Sequence, residues 1–252
     1  LPSIAAEKAG IIKKETPVVV GETHPETKEV FIEKARELNA PICFADQGFV
    51  IEKTPGEGFL ENRFKVYSSN KELLYNLETD MLGSYQQKNL ATCLKALEIL
   101  QKRNFEVKRD DILGGLKEVR KNTGFAGRWQ VLNNKPLILC DTAHNREGLT
   151  LNIEQLIRMD YERLHFVLGF VNDKNIESIL KLFPSTASYY FTKADIPRAL
   201  NEEMLQKQAK SAGLAGECYP AVSRALDKAR ENAADNDLIY VGGSTFVVSE
   251  II

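Results

Sequence analysis

The chain has 252 residues, 43% hydrophobic and 27% charged, the composition of an ordinary globular protein long enough for one large domain or two of moderate size. With 33 basic and 35 acidic residues the net charge is −2, so no global basic field points to nucleic acid or an anionic membrane. No apolar run approaches the roughly 20 residues of a membrane-spanning helix, and the amino terminus lacks the charged segment that opens a secretory signal.

The chain opens without an initiator Met inside a stretch that reads as a helix, LPSIAAEKAG, so it is expected to be a piece of a longer protein. PVVVGE (17–22), a helical stretch from His24 to Leu38 and PICFAD (41–46) read as strand, helix, strand. Between 48 and 79, GFVIEK, the turn-rich TPGEG, RFKVYSS and the stretch around LLYNLE predict a small antiparallel set. A long helix is expected from Leu82 to Leu100, with Leu82, Gln86, Asn89, Cys93, Ala96 and Leu100 on one side. A further helix is expected over Arg109 to Lys121, with Ile112, Leu116 and Val119 inward.

After Gly124 the pattern becomes regular. WQVL, PLILCD, HFVLGF, SYYFT and DLIYVGG read as strands, separated by amphipathic segments at 146–158, 175–182, 201–212 and 221–233. That alternation implies a mostly parallel sheet covered on both faces. The NTGFAG stretch places a boundary near Asn122–Gly127. Residues 1–123 are then the later portion of one α/β domain and 124–252 a doubly wound domain. The four cysteines, Cys43, Cys93, Cys140 and Cys218, lie far apart and read as buried thiols in a reducing cytoplasm. The three histidines are too scattered for a zinc cage.

Several positions carry chemistry. If Ser3 caps a short helix, Ile4 and Lys8 share a face, and burial there lowers a lysine's pKa and lets a neutral amine capture carbon dioxide as a metal-binding carbamate. The alternative is a lysine whose head reaches solvent. Gln86 and Asn89 on a buried stripe need partners, either an adenine edge or a neighbouring loop. Arg128, just after the linker, suits phosphates or an interdomain ion pair. In PLILCDTAHNREG, Asp141 ends an apolar strand, with His144 and Asn145 in the following turn. Ligands of open α/β sheets bind at such strand ends, so Asp141 suits a ribose hydroxyl or metal-bound water and His144 a proton transfer, while Asn145 fits a helix cap. Weaker signals are Asp173 and Lys174 in GFVNDKN, and Gly242, Gly243 and Ser244 in VGGSTF, where a helix start attracts anions.

In order, IAAEKAGIIK, LGSYQQKNLATCLKAL, FAGRWQ, LILCDTAHN, GFVNDK, IPRAL and VGGSTFVVSE resemble the folylpolyglutamate synthase/dihydrofolate synthase branch of the Mur ligase family, across essentially the whole chain. The resemblance implies an α/β protein with a truncated central Mur-ligase-type ATPase domain followed by a Rossmann-like carboxyl-terminal domain. It implies ATP and Mg2+ as cofactors, and L-glutamate and dihydropteroate or a folate as substrates, in a monomeric cytoplasmic ligase acting on neither nucleic acid nor membrane. Lys8 matches the family's carbamylated lysine that helps hold magnesium. Asn89, Arg128 and Asp141 match positions that contact ATP. His144 and Ser244 match residues implicated in activity through glutamate binding or domain closure.

Departures are modest: Thr142 stands where the family often has Gly or Val, Arg146 where it often has Pro, and Trp129 and Gln130 replace a glutamate-containing stretch. The family's phosphate loop, G-x-x-x-x-G-K-[ST] or a close relative, does not occur in these residues, and its metal-binding Glu and His lie upstream of IAAEKAG. The expectation is therefore a truncated chain that is inactive alone. Alternatives are another Mur-type amino acid ligase and a non-catalytic nucleotide-binding module.

Overall fold

The computed structural model describes residues 1–54, 62–172 and 176–252. TPGEG from Pro55 on, and Asp173 and Lys174, lie outside the described residues. The chain forms two compact units: Leu1–Asp80 with Tyr85–Asn122, and Met81–Ser84 with Thr123–Ile252.

The first unit opens with α1 (Pro2–Ala9), β1 (Val18–Val20), α2 (Lys28–Glu37) and β2 (Ile42–Phe44), the two strands pairing in parallel. β3 (Phe49–Thr54), β4 (Asn62–Ser68) and β5 (Leu73–Thr79) form an antiparallel meander. Alternation puts Ile51, Phe64, Val66 and Leu77 on one face, where they pack with Leu90, Ala91 and Leu94 of α3 (Gln86–Lys102). Ile112 of α4 (Arg109–Lys117) joins the same cluster.

Three expectations fail here. In α1 the inward residues are Ala5 and Ala9, Leu1 rather than Ser3 stands at the N-cap, and Ile4 and Lys8 are exposed. The desolvation argument for Lys8 therefore does not hold. In α3 the buried face is Leu90–Ala91–Leu94, about one residue (100°) around from the expected stripe, so Asn89, Cys93 and Leu100 face solvent. Leu82 is not helical and packs in the core of the second unit. The expected helix over 109–121 is two pieces, α4 and α5 (Val119–Thr123), broken at Glu118 (φ −123°, ψ 44°). Asp80 receives the Val119 and Arg120 N–H groups at 3.1 and 2.9 Å, capping the second piece.

The second unit is a six-stranded sheet in the order β10-β9-β8-β11-β7-β6. Its strands are β6 (Gln130–Asn134), β7 (Leu137–Cys140), β8 (Leu164–Leu168), β9 (Ser188–Thr192), β10 (Gly216–Tyr219) and β11 (Leu238–Gly242). All pairings are parallel except the β6–β7 hairpin at the edge. Leu137, Leu139, Leu164, Phe166, Leu168, Leu238 and Tyr240 pack on one face with α6 (Arg146–Ile157), α7 (Ile176–Leu180) and α8 (Glu202–Ser211). Ile138, Cys140, Val167, Ile239 and Val241 pack on the other with α9 (Val222–Asn232) and α10 (Thr245–Ser249). Both faces are thus apolar, as in a sheet covered by helices on each side.

Of the four cysteines only Cys140 is buried, and Cys93 is exposed on α3, against the expectation of buried thiols. Among the described residues no helix is long and apolar enough to cross a membrane.

Candidate functional site

The chain runs from β7 through α6 to β8 and outward to β9 and β10, then returns through α9 to fill the gap between β8 and β7 with β11. The connections leaving β7 and β8 cover one face, while α10, leaving β11, covers the other. Strand ends whose connections diverge in this way open a crevice, the usual ligand position of such sheets. A cleft of ≈ 570 Å³ lies there, lined by His144, Asn145, Arg146, Phe170, Ile176 and Gly243, among others.

The turn after β7 is built around Asp141, whose side chain has no exposed surface. One carboxylate oxygen accepts the Trp129 N–H and the other the Ala143 N–H, both at 2.8 Å. The first bond fixes the loop that carries Arg128; Thr142 N–H adds a second tie by donating to Gly127 O at 2.9 Å. Gly127 (φ +77°) and Trp129 (φ +43°) adopt the left-handed region. For Trp129 that region costs about 1–2 kcal/mol, which the bond to Asp141 and a fully buried indole offset. Arg128 itself is half-buried.

His144 is exposed, with Nδ1 3.1 Å from Thr142 O. A carbonyl only accepts, so Nδ1 carries the hydrogen and Nε2 of the neutral ring is left as the acceptor. Asn145 caps α6, its side chain accepting Gly148 N–H at 2.9 Å. Arg146 reaches across to donate from Nη1 to Ser178 O at 3.0 Å.

Ser244, only 3% exposed, caps α10 by accepting Phe246 N–H at 3.2 Å. Gly243 before it has φ +91°, and a Cβ there would stand 2.8 Å from Gly169 O and 3.0 Å from the Phe170 ring. A Gly243→Ala variant should therefore lose about 2–4 kcal/mol by combining left-handed strain with overpacking. Urea unfolding checks this, and an unchanged midpoint would show that the turn is not constrained.

The IPRAL segment braces the cleft from outside. Leu200 N–H donates to Phe170 O and Asn172 N–H to Arg198 O, each at 2.8 Å, while the Arg198 guanidinium stacks 4.7 Å above the Phe246 ring. The structure thus gathers His144, Asn145 and Gly243 at one cleft, with Asp141 and Ser244 buried behind its turns. Lys8 and Asn89 belong to the first unit, where Asn89 Nδ2 donates to Gln86 Oε1 at 2.9 Å on the exposed side of α3. Sequence reasoning missed Arg146 and the apolar wall of Phe170, Val171, Ile176 and Ile179; the only signal for that wall was that HFVLGF stays apolar to its end. Among the described residues no three His, Cys, Asp or Glu side chains gather as metal ligands.

The second unit is thus a doubly wound α/β domain with a polar turn after an inner strand and a Gly-Gly-Ser turn after the last. Residues 127–245, which lie within the second unit, match the family described as "Mur ligase, glutamate ligase domain". Over its whole length the chain is homologous to folylpolyglutamate and dihydrofolate synthases. It is 28% identical over 248 residues to a probable bifunctional folylpolyglutamate synthase/dihydropteroate synthase of Haloferax volcanii, covering 98% of this chain and 29% of that protein. To the dihydrofolate synthase/folylpolyglutamate synthase of Bacillus subtilis it is 27% identical over 259 residues, covering 100% of this chain and 57% of that protein. It superposes on E. coli FolC in complex with DHPP and ADP with a TM-score of 0.80 at 25% identity, over 99% of this chain and 55% of that one. The chain therefore spans from under a third to just over half the length of these relatives.

Proposed function

We propose that this chain is part of an ATP-dependent ligase that joins L-glutamate to dihydropteroate, to a folate, or to both. The observation that supports the reading best is the cleft at the carboxyl ends of β7, β8 and β11, where a histidine acceptor, a guanidinium and an apolar wall come together. In the reaction, a carboxylate oxygen of the acid attacks the γ-phosphorus of ATP, releasing ADP and leaving an acyl phosphate. The glutamate amine then attacks the acyl carbon, a C–N bond forms, the C–O bond to phosphate breaks and a proton leaves the nitrogen. His144 Nε2 is the group in the cleft suited to take that proton.

Arg128 is assigned to the ATP phosphates and Asp141 to the nucleotide, and Asp141 also holds the loop that carries Arg128 by accepting two buried backbone N–H groups. Asn89 is assigned to the base of ATP. Ser244 acts by shaping the Gly243 turn. Mg2+ is the proposed cation, with Lys8 as a carbamate among its ligands; the resemblance alone carries that role, since Lys8 is exposed. The described residues do not themselves form a cation cage, so no step is assigned to the metal. In the protein that contains this chain, phosphate release should need ATP, glutamate and a folate acid together, and His144→Ala should lower kcat/KM by about 10²-fold. Release without glutamate would sink the reading.

A further inference from the structure

Among the described residues lining the cleft, Arg146 alone carries a fixed positive charge. It stands at the first helical position of α6, directly after the Asn145 cap. The N–H there has no intrahelical acceptor and proline is favoured, so the helix itself has no need of an arginine. Helix stability therefore does not explain this residue, and its side chain must be explained by what it meets. One N–H of the fork is engaged by Ser178 O on α7, 32 positions away in sequence, which anchors the guanidinium at the cleft. Among the described residues Arg146 makes no ion pair, so none of their carboxylates neutralises its charge.

We propose that Arg146 selects an acidic ligand, pairing its guanidinium with one of the two carboxylates of a dicarboxylic amino acid. A planar fork matches a carboxylate bidentately, and a fork already anchored loses less freedom on binding. Glu147 on the same rim opposes purely anionic ligands and suits an ammonium, so the rim complements a zwitterion. Phe170, Val171, Ile176 and Ile179 offer apolar surface to a methylene chain, which a bare phosphate lacks. The proposal rests on the glutamate reading above and adds the residue that reads the second acid.

The test is a 1H–15N titration of the 252-residue chain with L-glutamate, L-glutamine, isoglutamine and inorganic phosphate, repeated on Arg146→Pro, Arg146→Gln and Arg146→Lys. The parent should bind glutamate about tenfold or more tightly than one of the two monoamides, and more tightly than phosphate. Arg146→Pro, whose new residue suits the position, should lose that preference, and Arg146→Lys should keep part of it. Should Arg146→Pro prove unfolded, Arg146→Gln carries the same comparison. Unchanged glutamate affinity and preference in the variants would overturn the role of Arg146 and leave the ligase reading intact. Phosphate binding as tight as glutamate in the parent would overturn it as well. No glutamate-dependent shifts in the parent would overturn the role of Arg146, while the ligase reading is judged separately by glutamate-dependent phosphate release in the protein that contains this chain.

Discussion

Replacing Asp141 by Ala is expected to destabilise the second unit by about 3–5 kcal/mol, a loss that would dominate any change in nucleotide affinity. The carboxylate is fully buried and each oxygen receives a backbone N–H, so truncation strands two donors where water does not reach. Charge-assisted bonds of this kind are worth about 1.5–3 kcal/mol each, and an orphaned buried donor costs about 1–3 kcal/mol. The left-handed backbone of Trp129 adds to the effect, because the bond from its N–H is part of what holds that conformation. Asp141→Asn should recover little: an amide keeps one acceptor but sets its NH2 group against the other N–H, leaving a loss of about 2–3 kcal/mol.

The single tryptophan of the sequence is Trp129 itself, fully buried beside Tyr240, so its fluorescence reports on this loop without labelling. Urea unfolding followed by that emission should show a lower midpoint at an unchanged slope, and a red-shifted maximum before the transition. A variant with the parent's midpoint and emission would mean that the loop is held by something else. Kinetic studies of Asp141 variants should accordingly be read at temperatures well below the lowered transition. Otherwise a fall in the folded fraction would pass for a raised ATP requirement.

Most of the second unit was legible in the sequence because its inner strands are buried on both faces. PLILCD, HFVLGF, SYYFT and DLIYVGG are continuous apolar runs for that reason, and each becomes a strand. β10 escaped notice because GECY lies at the edge, where only half-burial is required and a Gly and a Glu are tolerated. The helices of the first unit were harder. α1 turns two alanines inward while its isoleucine faces out, so size gave the wrong face. α3 carries apolar residues around much of its circumference, and a stripe chosen to include Gln86 and Asn89 came out rotated by one position.

At the site, an aspartate ending an apolar run and followed by His and Asn marked the strand-end turn correctly. What the sequence left dark was direction. Nothing in D-T-A-H-N says that the carboxylate turns back toward the Trp129 amide while the imidazole stays in the open, or that Arg146 meets a carbonyl 32 residues on. Such facts depend on which loops meet, and only the closed sheet fixes them.

At the opposite ends of the same strands, Asp237 should govern the acid limb of stability. It precedes β11, is fully buried, and accepts from Arg163 N at 3.0 Å, Arg163 Nη2 at 2.9 Å, Ala234 N at 2.8 Å and His165 Nε2 at 3.2 Å. His165 is anchored on its other side by Tyr190 Oη, 3.2 Å from Nδ1, to which Asn232 Nδ2 donates in turn. Burial alone would push the Asp237 carboxyl up, but the Ala234 amide, His165 and Arg163 together pull it below the usual aspartate range. A depressed carboxyl contributes stability that is fully present above the ordinary value of about 3.9 and is lost as pH falls through the lower folded-state value. Unfolding free energy should therefore decline as the solution is acidified below about pH 5, and the Asp237→Asn variant should show a shallower decline. At pH 7 Asp237→Ala should cost about 3–5 kcal/mol, since it strips a buried hub from three neighbours at once. Glutamate affinity of the molecules that remain folded should not change, because the hub lies a full strand length from the cleft. Equal acid slopes in the parent and Asp237→Asn would show that other carboxylates set the limb.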